Sequence, residues 1–196
     1  MPDVPRVLLL GDSIRMSYQP HVKIMMEPKG EATVTGPAEN CRYSAYTLER
    51  LPHWLNELGT PDVVHWNNGL HDAGHDPTRD PVQFPVSAYV ENLKQIIELL
   101  RTTNARIIWA TSTPVHPDRP FRGEGWSWRN DEIDAYNAAA LDVMQAEDIP
   151  VNDLHSVVWE RYSEYLDEDM LHLNKHGQRA CAKAVIRAVR SQIEAL

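Results

Sequence analysis

Two short stretches near opposite ends of the chain carry the side chains of a candidate nucleophilic site. Ser13 follows the apolar run RVLLL in the stretch GDS, and Asp169 and His172 lie three residues apart in the stretch DMLH. A serine hydroxyl acts as a catalytic nucleophile when a base lies within hydrogen-bond distance and when hydrogen-bond donors can stabilise the oxyanion that forms on the substrate. On a turn before a helix, the spacing of Asp169 and His172 lets the carboxylate reach Nδ1 of the imidazole and leaves Nε2 free to act as that base.

Each stretch also has a purely structural interpretation. A serine that follows a strand is often a helix N-cap and nothing more, and the acidic stretch before His172 could be a solvated loop with the histidine on the surface. The GDS stretch is not the GxSxG elbow of α/β-hydrolases, because residue 15 is Arg rather than Gly. The presence of both stretches in one chain favours the nucleophilic interpretation.

The stretch WNNGLHDAGHD, residues 66–76, contains two His-Asp pairs four residues apart. Imidazoles and carboxylates are common metal ligands, so this part of the chain could wrap an ion. Histidines at i and i+4 face one ion only on a helix, however, and here two glycines interrupt the stretch after a strand-like run. The candidate ligands would be His65, His71, His75, Asp72 and Asp76. We prefer an interpretation without a metal, in which Asp72 accepts hydrogen bonds from the loop backbone.

The composition predicts one folded domain, residues 1–196, with 42% hydrophobic residues. A formal net charge of -9 and a pI near 5.4 make nucleic acid a poor partner. No apolar run approaches the roughly 20 residues of a spanning helix, and the N-terminal stretch does not resemble a signal peptide, so we expect no membrane association and a cytoplasmic location. Cys41 and Cys181 are too few for a disulfide framework, and both are expected to be reduced.

Short apolar runs alternate with segments of helical periodicity along the whole chain. The predicted strands are residues 6–10, 32–35, 62–66, 106–111 and 149–154, and the predicted helices are roughly residues 14–28, 44–58, 85–102, 129–147 and 174–195. This alternation predicts a three-layer α/β/α sandwich with a five-stranded parallel sheet. Ligands bind such sheets at the carboxyl ends of the strands, so the segments that follow the strands are the places to look for a site.

The segment after the fourth strand, residues 112–130, is the longest irregular one and is a candidate substrate loop. Arginines there could pair with an anionic group and tryptophans could stack on a sugar face or cover an acyl chain, or these side chains could simply pack the loop onto the protein. The candidate substrate contacts in this loop are Arg119, Arg122, Trp126 and Trp128. The other tryptophans, Trp54, Trp66, Trp109 and Trp159, fall in or next to predicted elements and are expected in the core.

Together these stretches resemble the SGNH hydrolases, also called GDSL esterases and lipases. GDS at 11–13 matches the family's nucleophile block, and DMLH at 169–172 matches its histidine block. GLHD at 69–72 lies where the family has GxND, so that His71 takes the place of Asn. AENCRYSAYTLERLPHWL aligns with the second block and places Cys41 where the family has Gly. The resemblance covers residues 6 to about 190 and implies a flavodoxin-like fold.

The resemblance implies a serine esterase that needs no cofactor. Ser13 would attack an ester carbonyl, His172 would be the base and Asp169 would orient it, while the backbone N–H groups of Ser13 and Cys41 and the ring of His71 would hold the oxyanion. It also suggests an acetyl or other short-acyl ester of a sugar as the small-molecule substrate. The alternatives are a lysophospholipase or thioesterase with the same triad, or a non-catalytic carbohydrate-binding relative. Further candidate substrate contacts are Asp12, Arg42 and Asn68, and Asn68 could instead supply the missing amide.

Overall fold

Five parallel strands form the centre of the protein, in the order β2-β1-β3-β4-β5. The computed structural model describes residues 4–196. The strands are β1 (Arg6–Leu10), β2 (Thr33–Thr35), β3 (Val63–Trp66), β4 (Arg106–Ala110) and β5 (Val151–Asn152). Each lies within one of the five predicted runs, and every neighbouring pair is parallel. The predicted parallel sheet is therefore confirmed.

Helices cover both faces of the sheet. They are α1 (Ser13–Met26), α2 (Ser44–Leu58), α3 (Leu70–Ala73), α4 (Val86–Arg101), α5 (Asn130–Ala146), α6 (Leu154–Trp159), α7 (Tyr162–Tyr165) and α8 (Lys175–Ile193). Helix α1 packs on α8 in one layer, whereas α4 packs between α2 and α5 in the other. This arrangement confirms the three-layer α/β/α sandwich. None of the helices in residues 4–196 is both long enough and apolar enough to cross a bilayer.

Three helices were not predicted, namely α3, α6 and α7. Each has only four to six residues. That is fewer than two turns, so the 3.6-residue periodicity that reveals the longer helices has no room to develop. Helices α3 and α6 follow the carboxyl ends of β3 and β5, where a site is expected, and α7 follows α6.

The core contains three of the four tryptophans that were expected there. Trp54, Trp66 and Trp109 are at most 1% exposed. Trp159 is 43% exposed, so that prediction was wrong. It is the last residue of α6 and stacks on His155 at the surface rather than packing under a second layer.

The β1–α1 connection determines where Ser13 lies. Asp12 is the N-cap of α1, because its carboxylate accepts a 2.9 Å hydrogen bond from the N–H of Ile14. Ser13 is therefore the first helical residue and its hydroxyl is not used as a cap. Gly11 has a φ of 155°, and a Cβ at this position would lie 2.8 Å from Cβ of Arg15. A glycine is needed for the chain to turn this closely at the end of β1.

Candidate active site

The GDS and DMLH stretches, from opposite ends of the chain, meet at the carboxyl edge of the sheet. The Oγ atom of Ser13 lies 2.9 Å from Nε2 of His172, across 159 residues of sequence. On the other side of the imidazole, Nδ1 lies 2.5 Å from Oδ2 of Asp169. Helix α1, which begins at Ser13, packs against α8, which begins three residues after His172. The packing of these two helices therefore holds the hydroxyl and the imidazole together.

The loop that carries Asp169 and His172 is fixed by the same carboxylate. Oδ1 of Asp169 accepts hydrogen bonds from the backbone N–H groups of Leu171 (3.0 Å) and His172 (2.9 Å). Partial burial alone would raise the pKa of Asp169, but the hydrogen bonds from the side chain and backbone of His172 and the backbone of Leu171 hold it below its ordinary value. The carboxylate thus remains charged while it orients the imidazole through its second oxygen.

The N-terminus of α1 offers one donor for an oxyanion. The N–H of Ser13 belongs to the first turn of a 14-residue helix. Such N–H groups have no acceptor inside the helix, and the helix dipole makes this end favourable for negative charge.

Cys41 does not supply a second free donor. It is fully buried, and its backbone N–H already donates to the carbonyl oxygen of Gly11 at 3.2 Å. The next N–H along the chain, that of Arg42, donates to Oδ1 of Asn40 at 2.7 Å. The left-handed backbone conformation also falls on Arg42, with a φ of 53°, rather than on Cys41. Cys41 therefore fits the glycine position without strain, but we leave it out of the proposed oxyanion hole because its N–H is engaged.

His71 offers a donor of a different kind. Its ring stands edge-on to Trp126, with 4.6 Å between ring centroids, and within residues 4–196 neither ring nitrogen makes a hydrogen bond. Burial lowers the pKa of His71, against the raising effect of the nearby Asp12 carboxylate. A neutral imidazole carries one ring N–H and can donate it to an oxyanion.

We expect the substitution His71→Asn to preserve or raise turnover, because an amide can donate at the same place without depending on a tautomer. Activity of the wild type should likewise persist at pH 8, where the imidazole is neutral. Steady-state kinetics of the two proteins from pH 6 to 9 provide the measurement. A fall in kcat of several hundredfold, the size of effect caused by removing an oxyanion donor, would contradict this role for His71.

Two predicted substrate contacts belong to the framework instead. Asn68 is 1% exposed, and its amide donates to the carbonyl of Arg42 at 3.1 Å and to Oγ1 of Thr47 at 2.9 Å. The buried carboxylate of Asp12 is used as the helix cap described above. The amide of Asn68 is therefore not free to bind a substrate, and one carboxylate oxygen of Asp12 is used by the cap. Arg42 is exposed, with its guanidinium 4.7 Å from the ring centroid of Tyr46.

The histidines of the 66–76 stretch face different partners. His65 is in the core, where Nε2 pairs with the amide of Asn152 at 2.9 Å, and His75 bonds to Glu132 at 2.9 Å. Within residues 4–196 no three His, Cys, Asp or Glu side chains are grouped as metal ligands would be. Asp72 is fully buried and is a structural acceptor, but its partners are the N–H and the hydroxyl of Ser44 at the start of α2 rather than the backbone of its own loop.

The candidate substrate loop divides into packing and exposed residues. Trp128 is 4% exposed and donates to the carbonyl of Leu70 at 2.6 Å, so it anchors the loop and does not contact solvent freely. Trp126 stacks on it at 4.9 Å between centroids but remains 39% exposed beside His71. Arg119 lies over the Trp128 ring and donates to the carbonyl of Asp169 at 3.3 Å. The loop is thereby joined to the His172 loop.

A groove opens between these two loops. Its lining includes Arg119, Arg122, Trp126, Asp169 and Met170. Arg122 is exposed, and its side chain has no ion pair within residues 4–196. The groove therefore offers an aromatic surface and a cation next to the Asp169–His172 pair.

The loop between β2 and α2, residues 36–43, is called the second loop here. Sequence reasoning missed two residues that hold it in place, Arg15 and Glu39. The Glu39 carboxylate accepts hydrogen bonds from Tyr46 (2.6 Å), Trp54 (2.9 Å) and Arg50 (3.1 Å). These hydrogen bonds, that of Tyr46 foremost, lower the pKa of Glu39 to about 2. Single charged residues without periodic spacing gave no signal of this role in the sequence.

A parallel five-stranded sheet with serine, histidine and aspartate side chains joined at its carboxyl edge is the arrangement of an SGNH-type hydrolase. The family model described as GDSL-like Lipase/Acylhydrolase family matches residues 9–180. The chain belongs to this family, and it is a serine ester hydrolase by class. A sequence search of curated proteins gave no match.

Solved structures share the whole fold at low sequence identity. An acetyl xylan esterase, AlAXEase, is 19% identical, with a TM-score of 0.77, over 94% of this chain and 99% of the other. A lipase/acylhydrolase from Enterococcus faecalis is 22% identical, with a TM-score of 0.76, over 96% of each chain. A catalytic mutant of an acetylxylan esterase from Geobacillus stearothermophilus is 14% identical, with a TM-score of 0.76, over 96% and 95% of the two chains. At these identities the similarity establishes the fold.

Proposed function

We propose that the protein cleaves short-chain acyl esters with Ser13, His172 and Asp169 as its catalytic triad. Ser13 Oγ attacks the ester carbonyl while Nε2 of His172 takes the hydroxyl proton, and Asp169 stabilises the resulting imidazolium. The ester C–O bond then breaks, and His172 returns the proton to the leaving alcohol. Water attacks the acyl-enzyme with His172 again as base, which releases the acid and restores the serine.

The observation that carries this proposal is the 2.9 Å separation of Ser13 Oγ and His172 Nε2. A nucleophile and its base must lie within about 2.6 to 3.2 Å of each other for direct proton transfer. In support, the oxyanion would form near the N–H of Ser13, at the positive end of α1, and near the ring of His71. Apart from the substrate and the hydrolytic water, every group that these steps use is a group of the chain itself.

For the substrate we propose a short acyl group, such as acetyl, on a carbohydrate. The half-exposed ring of Trp126 next to His71 offers a flat apolar surface of the kind on which sugar rings stack. The groove beside it combines this ring with Arg119 and Arg122 rather than forming a deep apolar tunnel. Two of the structural neighbours named above are described as acetyl xylan esterases, which agrees with this choice.

A chain-length series tests the acyl group. With p-nitrophenyl esters of increasing length we expect the highest kcat/KM at the acetyl or propionyl ester. Each added methylene would contribute about 0.8 kcal/mol of binding if an acyl tunnel existed, so a maximum beyond about eight carbons would reject the short-acyl assignment in favour of a lysophospholipase or thioesterase.

Acetylated oligosaccharides test the alcohol. The substitution Trp126→Ala should raise KM for these substrates by roughly five- to tenfold, the loss of a typical stacking contact, and leave p-nitrophenyl acetate hydrolysis nearly unchanged. Trp159→Ala is the matched control, because this equally exposed tryptophan lies on α6 outside the groove. Equal effects of the two substitutions would argue against a sugar site at Trp126.

A further inference from the structure

A buried cation lies directly behind the nucleophile turn. Arg15 is 3% exposed although it is on the first turn of α1, two residues after Ser13. Its guanidinium has five N–H groups, and the structure provides five acceptors. These are Gly11 O (3.3 Å), Gln19 Oε1 (2.9 Å), Pro37 O (2.9 Å), Glu39 O (2.8 Å) and Cys41 Sγ (3.8 Å).

In the part of the chain that the structure describes, no carboxylate forms an ion pair with this cation, although the buried Asp12 lines the same small cavity. Within residues 4–196 no Asp or Glu side-chain oxygen lies within 4 Å of the Arg15 guanidinium, and the carboxylate of Glu39 is directed instead to Tyr46, Trp54 and Arg50. Carbonyl dipoles satisfy the hydrogen bonds of Arg15, but they do not cancel its unit charge. In a medium less polarisable than water, such a charge acts over a longer distance than it would at the surface.

Arg15 contacts both the nucleophile turn and the loop that carries Cys41. Arg15 contacts the Gly11 carbonyl, which also receives the Cys41 N–H, so both groups converge on the turn that carries Ser13. On the second loop, burial raises the pKa of the Cys41 thiol; the nearby charge of Arg15 opposes this effect, and the carboxylate of Asp12 adds to it to a smaller extent. At Cys41, therefore, Arg15 favours an anion more than Asp12 disfavours it.

We propose that Arg15 is a positioning residue whose buried positive charge stabilises the oxyanion formed on the substrate. It would compensate for the missing second backbone donor, since the Cys41 N–H is already engaged. Arg15 would not touch the substrate, and its charge would act on the oxyanion across the Gly11 turn. This inference rests on the proposed serine esterase function.

The experiment separates charge from hydrogen bonding at position 15. Arg15→Gln and Arg15→Met remove the charge, whereas Arg15→Lys keeps it and loses most of the hydrogen bonds. We expect both neutral variants to lose roughly ten- to a hundredfold in kcat for p-nitrophenyl acetate with KM nearly unchanged, and Arg15→Lys to retain most of kcat. Thermal unfolding of all three identifies any variant that does not fold, and the second neutral variant covers that case.

Inhibition by phenylboronic acid gives a readout that a purely structural role would not move. Boronic acids bind a serine nucleophile as a tetrahedral anion, so their inhibition constant should rise by the same factor as kcat falls in the neutral variants. Arg50→Gln is the matched control, because Arg50 braces the same loop through Glu39 but is more exposed. It should leave both quantities unchanged.

Two results would overturn the inference. One is an equal loss of kcat in Arg15→Lys and Arg15→Gln, which would assign the effect to hydrogen bonding alone, and the other is full kcat in both neutral variants. If Ser13→Ala is inactive in the same assay, the proposed function stands whichever of these two results is found. Full activity of Ser13→Ala would instead remove the basis of both proposals.

Discussion

Replacing Ser13 by alanine is expected to lower kcat for ester hydrolysis by roughly 10⁴-fold or more, because the acyl-enzyme can no longer form. KM should change little, since the hydroxyl is a minor part of the binding surface. The fold should be unaffected: α1 is capped by Asp12, and the Ser13 hydroxyl has His172 as its side-chain partner. Activity on p-nitrophenyl acetate and thermal unfolding of the purified variant provide the two measurements.

Ser17→Ala is a suitable control for this experiment. Ser17 lies one turn further along α1, and its hydroxyl bonds to the carbonyl of Ile14 at 2.7 Å. It should retain wild-type kcat. A Ser13→Ala variant with activity within tenfold of the wild type would show that another residue is the nucleophile.

The second large effect is expected for Asp169→Asn, with a fall in kcat of about 10⁴-fold at neutral pH. An amide can replace the oxygen that accepts the N–H groups of Leu171 and His172, so the loop should keep its shape. An amide NH₂ opposite Nδ1 would, however, stabilise the wrong tautomer of His172 and provide no charge to balance the imidazolium. The kcat of the variant, measured with its circular dichroism spectrum, tests this expectation.

Asp167→Asn makes the same change two residues earlier in the loop, at an exposed carboxylate that is not part of the groove lining, and should leave kcat near the wild-type value. The pKa of Asp169 is depressed in the folded protein, so its contribution to stability is present above its unfolded pKa of about 3.8 and is lost as the pH falls through the folded value. Asp169→Asn should therefore lack this part of the acid destabilisation. Equal loss of activity in both variants would reject a specific role for Asp169.

The fold was predictable because its signals are local. Continuous apolar runs such as RVLLL and VVHW are buried on both faces of a parallel sheet, and the amphipathic stripe of α4 extends over 16 residues. The candidate triad could be predicted because short stretches around Ser13 and His172 resemble known blocks in the right order. Helices α3, α6 and α7 could not be predicted, because each is too short to show a helical periodicity of apolar residues.

Most of the wrong expectations about site residues concern tertiary hydrogen bonds. Nothing in the sequence indicates that the Cys41 N–H donates to the Gly11 carbonyl, or that the Asn68 amide donates to Thr47. Trp159 is an error of burial instead, because it was expected in the core and ends a surface helix; Trp128 takes the packing role that the sequence left open as one of two. Residue type predicts what a side chain can do, but its partner is set by segments distant in sequence.

Reaction with a fluorophosphonate tests the activation of Ser13 by His172 most directly, because an activated serine Oγ attacks the phosphorus of the probe, fluoride leaves, and a stable phosphonate ester forms. Mass spectrometry of peptides should locate one adduct at Ser13 in the wild-type protein, formed at least a hundredfold more slowly in His172→Gln. An adduct on a different residue, or equal rates of labelling in the two proteins, would show that His172 does not activate Ser13 as a nucleophile.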